Sequence, residues 1–192
     1  MPDYATTQGT PIVMEFLGSR VDCLSLGIAH IGVQRIADKV ARNMLAAEGA
    51  VAPRPRGTGY PYPWLRPRHP AIVQLEVTQA SAGSYHSALR IAVLSILAQP
   101  HTLAILDGLA ANVVWAIATS GLRGITSKLQ AQSPIRPLPA KPEDDPRQVH
   151  SLVTDIIAAA GQNQHIEAIR FRAAESEVTL DIEFYRGRTE QS

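Results

Sequence analysis

Apolar Ile12, Met14 and Phe16 alternate around Glu15, and the run halts at Gly18-Ser19, which predicts a strand followed by a turn. Asp22 then offers a helix N-cap. From there Leu24, Ile28, Ile31, Ile36, Val40 and Met44 recur at roughly helical spacing, with Arg35, Lys39 and Arg42 between them. The pattern predicts an amphipathic helix closing near Gly49. Gly27 and Gly32 weaken its first half by about 1 kcal/mol each relative to alanine, so the start is its less defined end.

The clearest alternation follows later. Val73, Leu75 and Val77 interleave with Gln74, Glu76 and Thr78, a turn is expected at Ser81-Ala82-Gly83-Ser84, and Tyr85, Leu89, Ile91 and Val93 share one face of a second strand. Pro100 suits the first turn of a helix, and Leu103 to Leu122 is apolar almost all round, interrupted by Asp107, Asn112 and glycines. Val149, Leu152, Val153, Ile156 and Ile157 predict a short amphipathic helix ended by Gly161. Ile166, Ile169 and Phe171, then Val178, Leu180, Ile182 and Phe184, outline two strands turning at Glu175-Ser176. On their polar faces Arg170 and Arg172 are expected opposite Glu177, Asp181 or Glu183.

These elements define an α+β class: a β-α-(long Pro/Arg loop)-β-hairpin-α core followed by a small α-β-β unit. The expected organisation is a main domain over 1–132, a proline-rich and acidic linker over 133–147 containing Glu143-Asp144-Asp145, and an αββ unit over 148–192. So small a terminal unit needs to dock on the first or on a partner copy. The Pro/Arg loop over 53–70 carries six prolines, which exclude helix and central strand there.

Composition changes this picture only a little. Ordinary hydrophobic (45%) and charged (18%) shares in 192 residues argue for a folded core, and a formal charge of +1 argues against a whole-molecule attraction to nucleic acid. Cys23 is the single cysteine, which excludes an intramolecular disulfide framework and fits a cytoplasmic setting. The N-terminal residues carry no basic n-region and no long apolar core of a secretory signal.

No motif assembles a catalytic centre. G-x-S-x-G, a P-loop, H-E-x-x-H and a strand-borne Rossmann glycine fingerprint are all missing, and His30, His69, His86, His101, His150 and His165 show no ligand spacing, so no metal and no cofactor is assigned. His86 could serve as a general base beside a carboxylate, although its simpler reading is an outward strand residue. Cys23 at a helix start reads as an unreactive thiol.

The remaining candidates are sticky surfaces. Tyr60, Tyr62, Trp64, Arg66 and Arg68 in the Pro/Arg loop are candidates for partner contact, since aromatic and arginine side chains anchor protein interfaces and can stack on bases. The rest of the chain adds no basic face, which counts against nucleic acid. Ala104, Gly108, Asn112 and Trp115 are candidates for close helix packing or oligomerisation on the apolar segment. The expectation is therefore a non-enzymatic assembly or adaptor protein acting through homo-oligomerisation or a larger protein partner. The rival readings are a membrane-acting effector inserting residues 103–122, for which bacterial defence or toxin systems are a natural setting, a hydrolytic enzyme using His86, and a nucleic-acid binder.

Overall fold

The computed structural model describes residues 4–6, 12–51, 71–81, 85–120, 126–130, 146–173 and 178–184. In chain order the elements are β1 (Tyr4–Thr6), β2 (Ile12–Gly18), α1 (Cys23–Ala47), β3 (Val73–Ser81), β4 (Tyr85–Leu94), a 3-10 turn (Ser95–Leu97), α2 (Pro100–Ile105), α3 (Leu109–Thr119), β5 (Thr126–Gln130), α4 (Pro146–Gln162), β6 (Ile166–Ala173) and β7 (Val178–Glu183). The class is α+β, with every described strand pairing antiparallel.

All seven strand segments belong to one sheet. β3 lines one edge of β4, while β1 and β2 lie in succession along the other, opposite Leu94 to Ala92 and Leu89 to Tyr85 respectively. β2 pairs through its second edge with β6, and β7 and β5 follow outward. The αββ segment is thus continuous with the main sheet. Its helix α4 packs beside α1, and the Ser25 hydroxyl on α1 lies 3.2 Å from the Ala159 carbonyl on α4.

Strand alternation decides which side chains meet the helices. Ile12, Met14 and Phe16 of β2, Leu89, Ile91 and Val93 of β4, Phe171 of β6 and Leu180 of β7 face α1, α3 and α4 in one hydrophobic core. The opposite parity, with Glu15, His86, Arg170 and Asp181, forms the second face of the sheet, and no helix covers it among the described residues.

Helix α1 starts at the expected cap. The Asp22 carboxylate accepts hydrogen bonds from the Ser25 amide at 2.8 Å and the Ser25 hydroxyl at 2.7 Å, and Asn163 donates to it from the end of α4. Its end is a Schellman closure: Gly49, at φ +71°, donates to the Ala46 carbonyl, and Ala50 donates to Leu45. Between them Gly32 sets the distance to α4, because a Cβ there would lie 2.6 Å from Ile156 Cδ1.

Two expectations change. The apolar segment is divided: α2 ends at Ile105 and α3 begins at Leu109, with Gly108 at φ +76° between them, a backbone state that side chains with a Cβ disfavour. By length and composition Pro100–Thr119 is still apolar enough to cross a membrane, with mean hydropathy 1.6, but Val113, Val114 and Ile117 are fully enclosed by this chain. The stripe read along α1 also splits. Ile36, Val40 and Met44 enter the core, whereas Leu24 and Ile31 are 68% and 55% exposed. The step of five between Ile31 and Ile36 breaks the helical phase and places the first three residues on another face.

β3 ends the sheet, yet part of its outer backbone is covered. Gln34 of α1 donates from Nε2 to the Val73 carbonyl at 2.7 Å and accepts from the Leu75 amide at 2.6 Å through Oε1. One side-chain amide thus takes the place of a neighbouring strand.

Gly27 and Gly32 separate propensity from packing. A Cβ at Gly27 meets nothing within 4 Å. Gly27→Ala should therefore stabilise the chain by up to about 1 kcal/mol, whereas Gly32→Ala should destabilise it by about 1 kcal/mol because overpacking outweighs the propensity gain. Urea unfolding of both variants checks the opposite signs.

The Asp22 cap has a pH signature. Hydrogen bonds from the Ser25 hydroxyl, then its amide, and from Asn163 push the carboxyl from 3.8 down to about 2. A depressed folded pKa means that the contribution is present above about pH 4 and lost as pH falls through about 2. Asp22→Ala should cost about 1 kcal/mol at neutral pH, and the gap to wild type should narrow across that acid window in a denaturation series.

Candidate functional site

Two outer surfaces remain once the core is closed. The first is the uncovered sheet face, where register builds one transverse row of polar positions: Ser81, His86, Glu15, Arg170, Asp181 and Lys128 are successive partners on β3, β4, β2, β6, β7 and β5. In its middle the Glu15 carboxylate lies 3.3 Å from His86 Nδ1 and 3.5 Å from Arg170 Nη1, and Arg170 Nε donates to Asp181 Oδ1 at 2.6 Å. Asp181 first, and then Glu15, raise the Arg170 pKa further above its ordinary value, so the guanidinium is a fixed cation. Opposite charges on adjacent strands hold register, and each ion satisfies its neighbour.

His86 therefore faces outward as a strand residue and has an acidic neighbour in Glu15. The row is a surface ladder rather than a cleft, and Arg170 already occupies the second oxygen of Glu15. A general base must approach a substrate proton within hydrogen-bond reach, and among the described residues nothing walls off a site for one.

A second histidine makes a tighter contact inside. His30 Nδ1 lies 2.8 Å from the Leu26 carbonyl, which can only accept, so Nδ1 carries a proton. In the neutral ring Nε2 then accepts the Ser87 hydroxyl at 3.0 Å. The pair has the connectivity of a serine nucleophile and its base, but Ser87 is fully buried beneath α1, out of reach of a substrate. Its role is to satisfy a buried hydroxyl.

The second surface is the outer face of the helix layer. Antiparallel α1 and α4 enclose a groove of about 360 Å³ whose α1 wall is Leu24, Ile28, Ile31 and Arg35 and whose α4 wall includes Leu152, Asp155 and Ala159. Gly32 and the alanines of α4 keep its floor shallow and small. Leu24 and Ile31 are the two most exposed large apolar side chains among the described residues. At the rim Arg35 and Asp155 are both exposed, carry opposite charges and stand on opposite walls, and neither makes an ion pair among the described residues.

The residues assigned from sequence fall elsewhere. Tyr60, Tyr62, Trp64, Arg66 and Arg68 lie outside the described residues, as do most of the linker and the Glu175-Ser176 turn. Ala104 is exposed on α2, Gly108 forms the break before α3, and the Asn112 amide donates back to the Gly108 carbonyl at 3.1 Å. Trp115, one turn beyond Asn112 on α3, is half-buried. Among the described residues no group of three His, Cys, Asp or Glu side chains could hold a metal ion. Cys23 is exposed at the first position of α1.

No protein-family model matches the chain, and neither a curated protein nor a solved structure is similar to it. Among the described residues, what the fold defines is a class: one antiparallel sheet with helices packed on one side, ion pairs across the middle of the other face, and exposed apolar side chains on the outer side of the helices.

The ladder should behave as a stabilising network of modest size. A double-mutant cycle with Arg170→Met and Asp181→Asn should give a coupling of roughly 0.5–1 kcal/mol, shrinking as salt rises, because both partners are partly exposed.

Proposed function

We propose that the chain is a non-enzymatic assembly protein whose working surface is the outer groove between α1 and α4. The observation that carries this reading is the solvent exposure of Leu24 and Ile31, 68% and 55%, beside a hollow lined by small residues. Exposed aliphatic side chains grouped on one helix face gain about 1.5–3 kcal/mol each when fully covered, and they contribute little to the fold while uncovered. The spacing of Leu24, Ile28 and Ile31 matches the anchors by which helices seat against helices.

The alternatives have less behind them. Membrane insertion of Pro100–Thr119 would expose Val113, Val114 and Ile117, which now fill the core between α1 and strands β6 and β7. Hydrolysis would require access to Ser87 or a walled site at His86.

Leu24→Ser combined with Ile31→Ser provides the test. The double variant should keep wild-type helicity and unfolding midpoint within about 0.5 kcal/mol, because neither side chain supports the core. In sedimentation velocity the wild-type chain should form larger species as concentration rises, and the variant should stay a monomer. A wild-type chain that remains monomeric throughout, or a variant that associates equally well, would remove the groove from this role.

A further inference from the structure

We infer that the occupant of the α1–α4 groove is the same groove of a second copy, related by a two-fold axis running along the helices. This deepens the assembly reading and rests on it. Arg35 stands on the α1 wall and Asp155 on the α4 wall, both exposed and without an ion-pair partner among the described residues. A foreign partner would have to supply an acid for one wall and a base for the other. A second copy turned about the groove axis supplies both at once, since it places α1 of each chain over α4 of the other and brings each Arg35 toward the other copy's Asp155.

The apolar surfaces agree with that placement. α1 and α4 run antiparallel: the Ser25 hydroxyl lies against Ala159, and Gly32 lies against Leu152 and Ile156. Under the two-fold, the bulky wall of Leu24, Ile28 and Ile31 faces the α4 wall of the other copy, where Ala158 and Ala159 leave a hollow between the longer Leu152, Asp155 and Gln162, so protrusions can meet a hollow on both sides of the axis. Four helices then form an antiparallel bundle seam, with side-chain ridges set into grooves. An isologous contact of this kind uses the same patch on both chains and closes at two subunits.

The α1 wall crosses the rim at Arg35, after which Ile36 turns inward to the core. The apolar stripe therefore stops where the charge begins, and a polar rim surrounds the apolar centre, the usual anatomy of a specific interface.

Charge reversal on the full 192-residue chain tests the arrangement. Arg35→Asp and Asp155→Arg each place like charges together twice in the symmetric pair, and each should weaken self-association by about tenfold or more at low salt. Two rescues should restore it: the chain carrying both substitutions should dimerise with itself, and the two single variants should dimerise when mixed, because every cross-pair is then complementary. Urea unfolding of each single variant guards against loss of fold, and the mixing rescue reads only on folded chains.

Restored mass by light scattering in both rescues supports the two-fold arrangement. A wild-type dimer that is abolished by Leu24→Ser with Ile31→Ser, yet is indifferent to charge reversal, overturns this arrangement and leaves the groove as the working surface. Wild-type protein that stays monomeric at every concentration overturns the second copy as occupant, and with it the self-association on which the assembly reading is tested.

Discussion

β2 is paired on both edges, and the rest of the molecule depends on it. Its partners come from residues 85–89 on one side and 166–173 on the other, so a strand near the start of the chain joins two segments that sequence alone separates with proline-rich stretches. Its inward residues Ile12, Met14 and Phe16 are wholly buried; β6 sets Ala173, Phe171 and Ile169 beside them, and β4 sets Leu89, Ser87 and Tyr85. Closing those two ladders carries a large loop-closure entropy, which only a shared hydrophobic face can offset. Once they are closed, α4 must lie beside α1, and Glu15 must lie between His86 and Arg170.

Both surfaces follow from that one arrangement by parity. In β2, even-numbered residues face the helices and odd-numbered residues face outward, so a shift of one residue would exchange Phe16 with Glu15. The cross-strand ions on the outer face oppose such a slip. At the sheet margin Gln34 performs a related task by holding the backbone of β3 at Val73 and Leu75, while the bulge near Thr78 bends the exposed part of that strand away from regular pairing. The β3 margin is therefore covered by a side chain at Val73 and Leu75.

Local features were legible in the sequence. The alternations in β2, β3 and β4, the Asp22 cap, the stop at Gly49 and the facing of Arg170 with Asp181 each depend on a few neighbouring residues or on one hairpin. Features set by distant contacts were not. β5 contains one apolar residue, Leu129, among polar ones and exists because β7 offers it an edge. Gly32 reads as a helix-weakening glycine until Ile156 is seen against it. Gly108 divides the apolar run into two helices through its backbone conformation, which hydrophobicity does not specify. His86 and Glu15 meet through pairing that no spacing encodes. The groove did leave one local trace: the phase step between Ile31 and Ile36 divides α1 into a stripe for the core and a stripe for something else.

The two surfaces differ in what covering them would cost. On the sheet Glu15, His86, Arg170 and Asp181 are partly exposed and already have one another as partners, and exposed pairs are worth a fraction of a kcal/mol each. A newcomer would have to break those pairs and desolvate their charges before gaining anything. On the helix side the reverse holds: Leu24 and Ile31 lose nothing by being covered, and each gains hydrophobic free energy in proportion to the area removed from water. In the proposed pairing Arg35 and Asp155 would select orientation more than supply affinity. On this comparison, covering the apolar helix side would cost less than covering the paired ions of the sheet face.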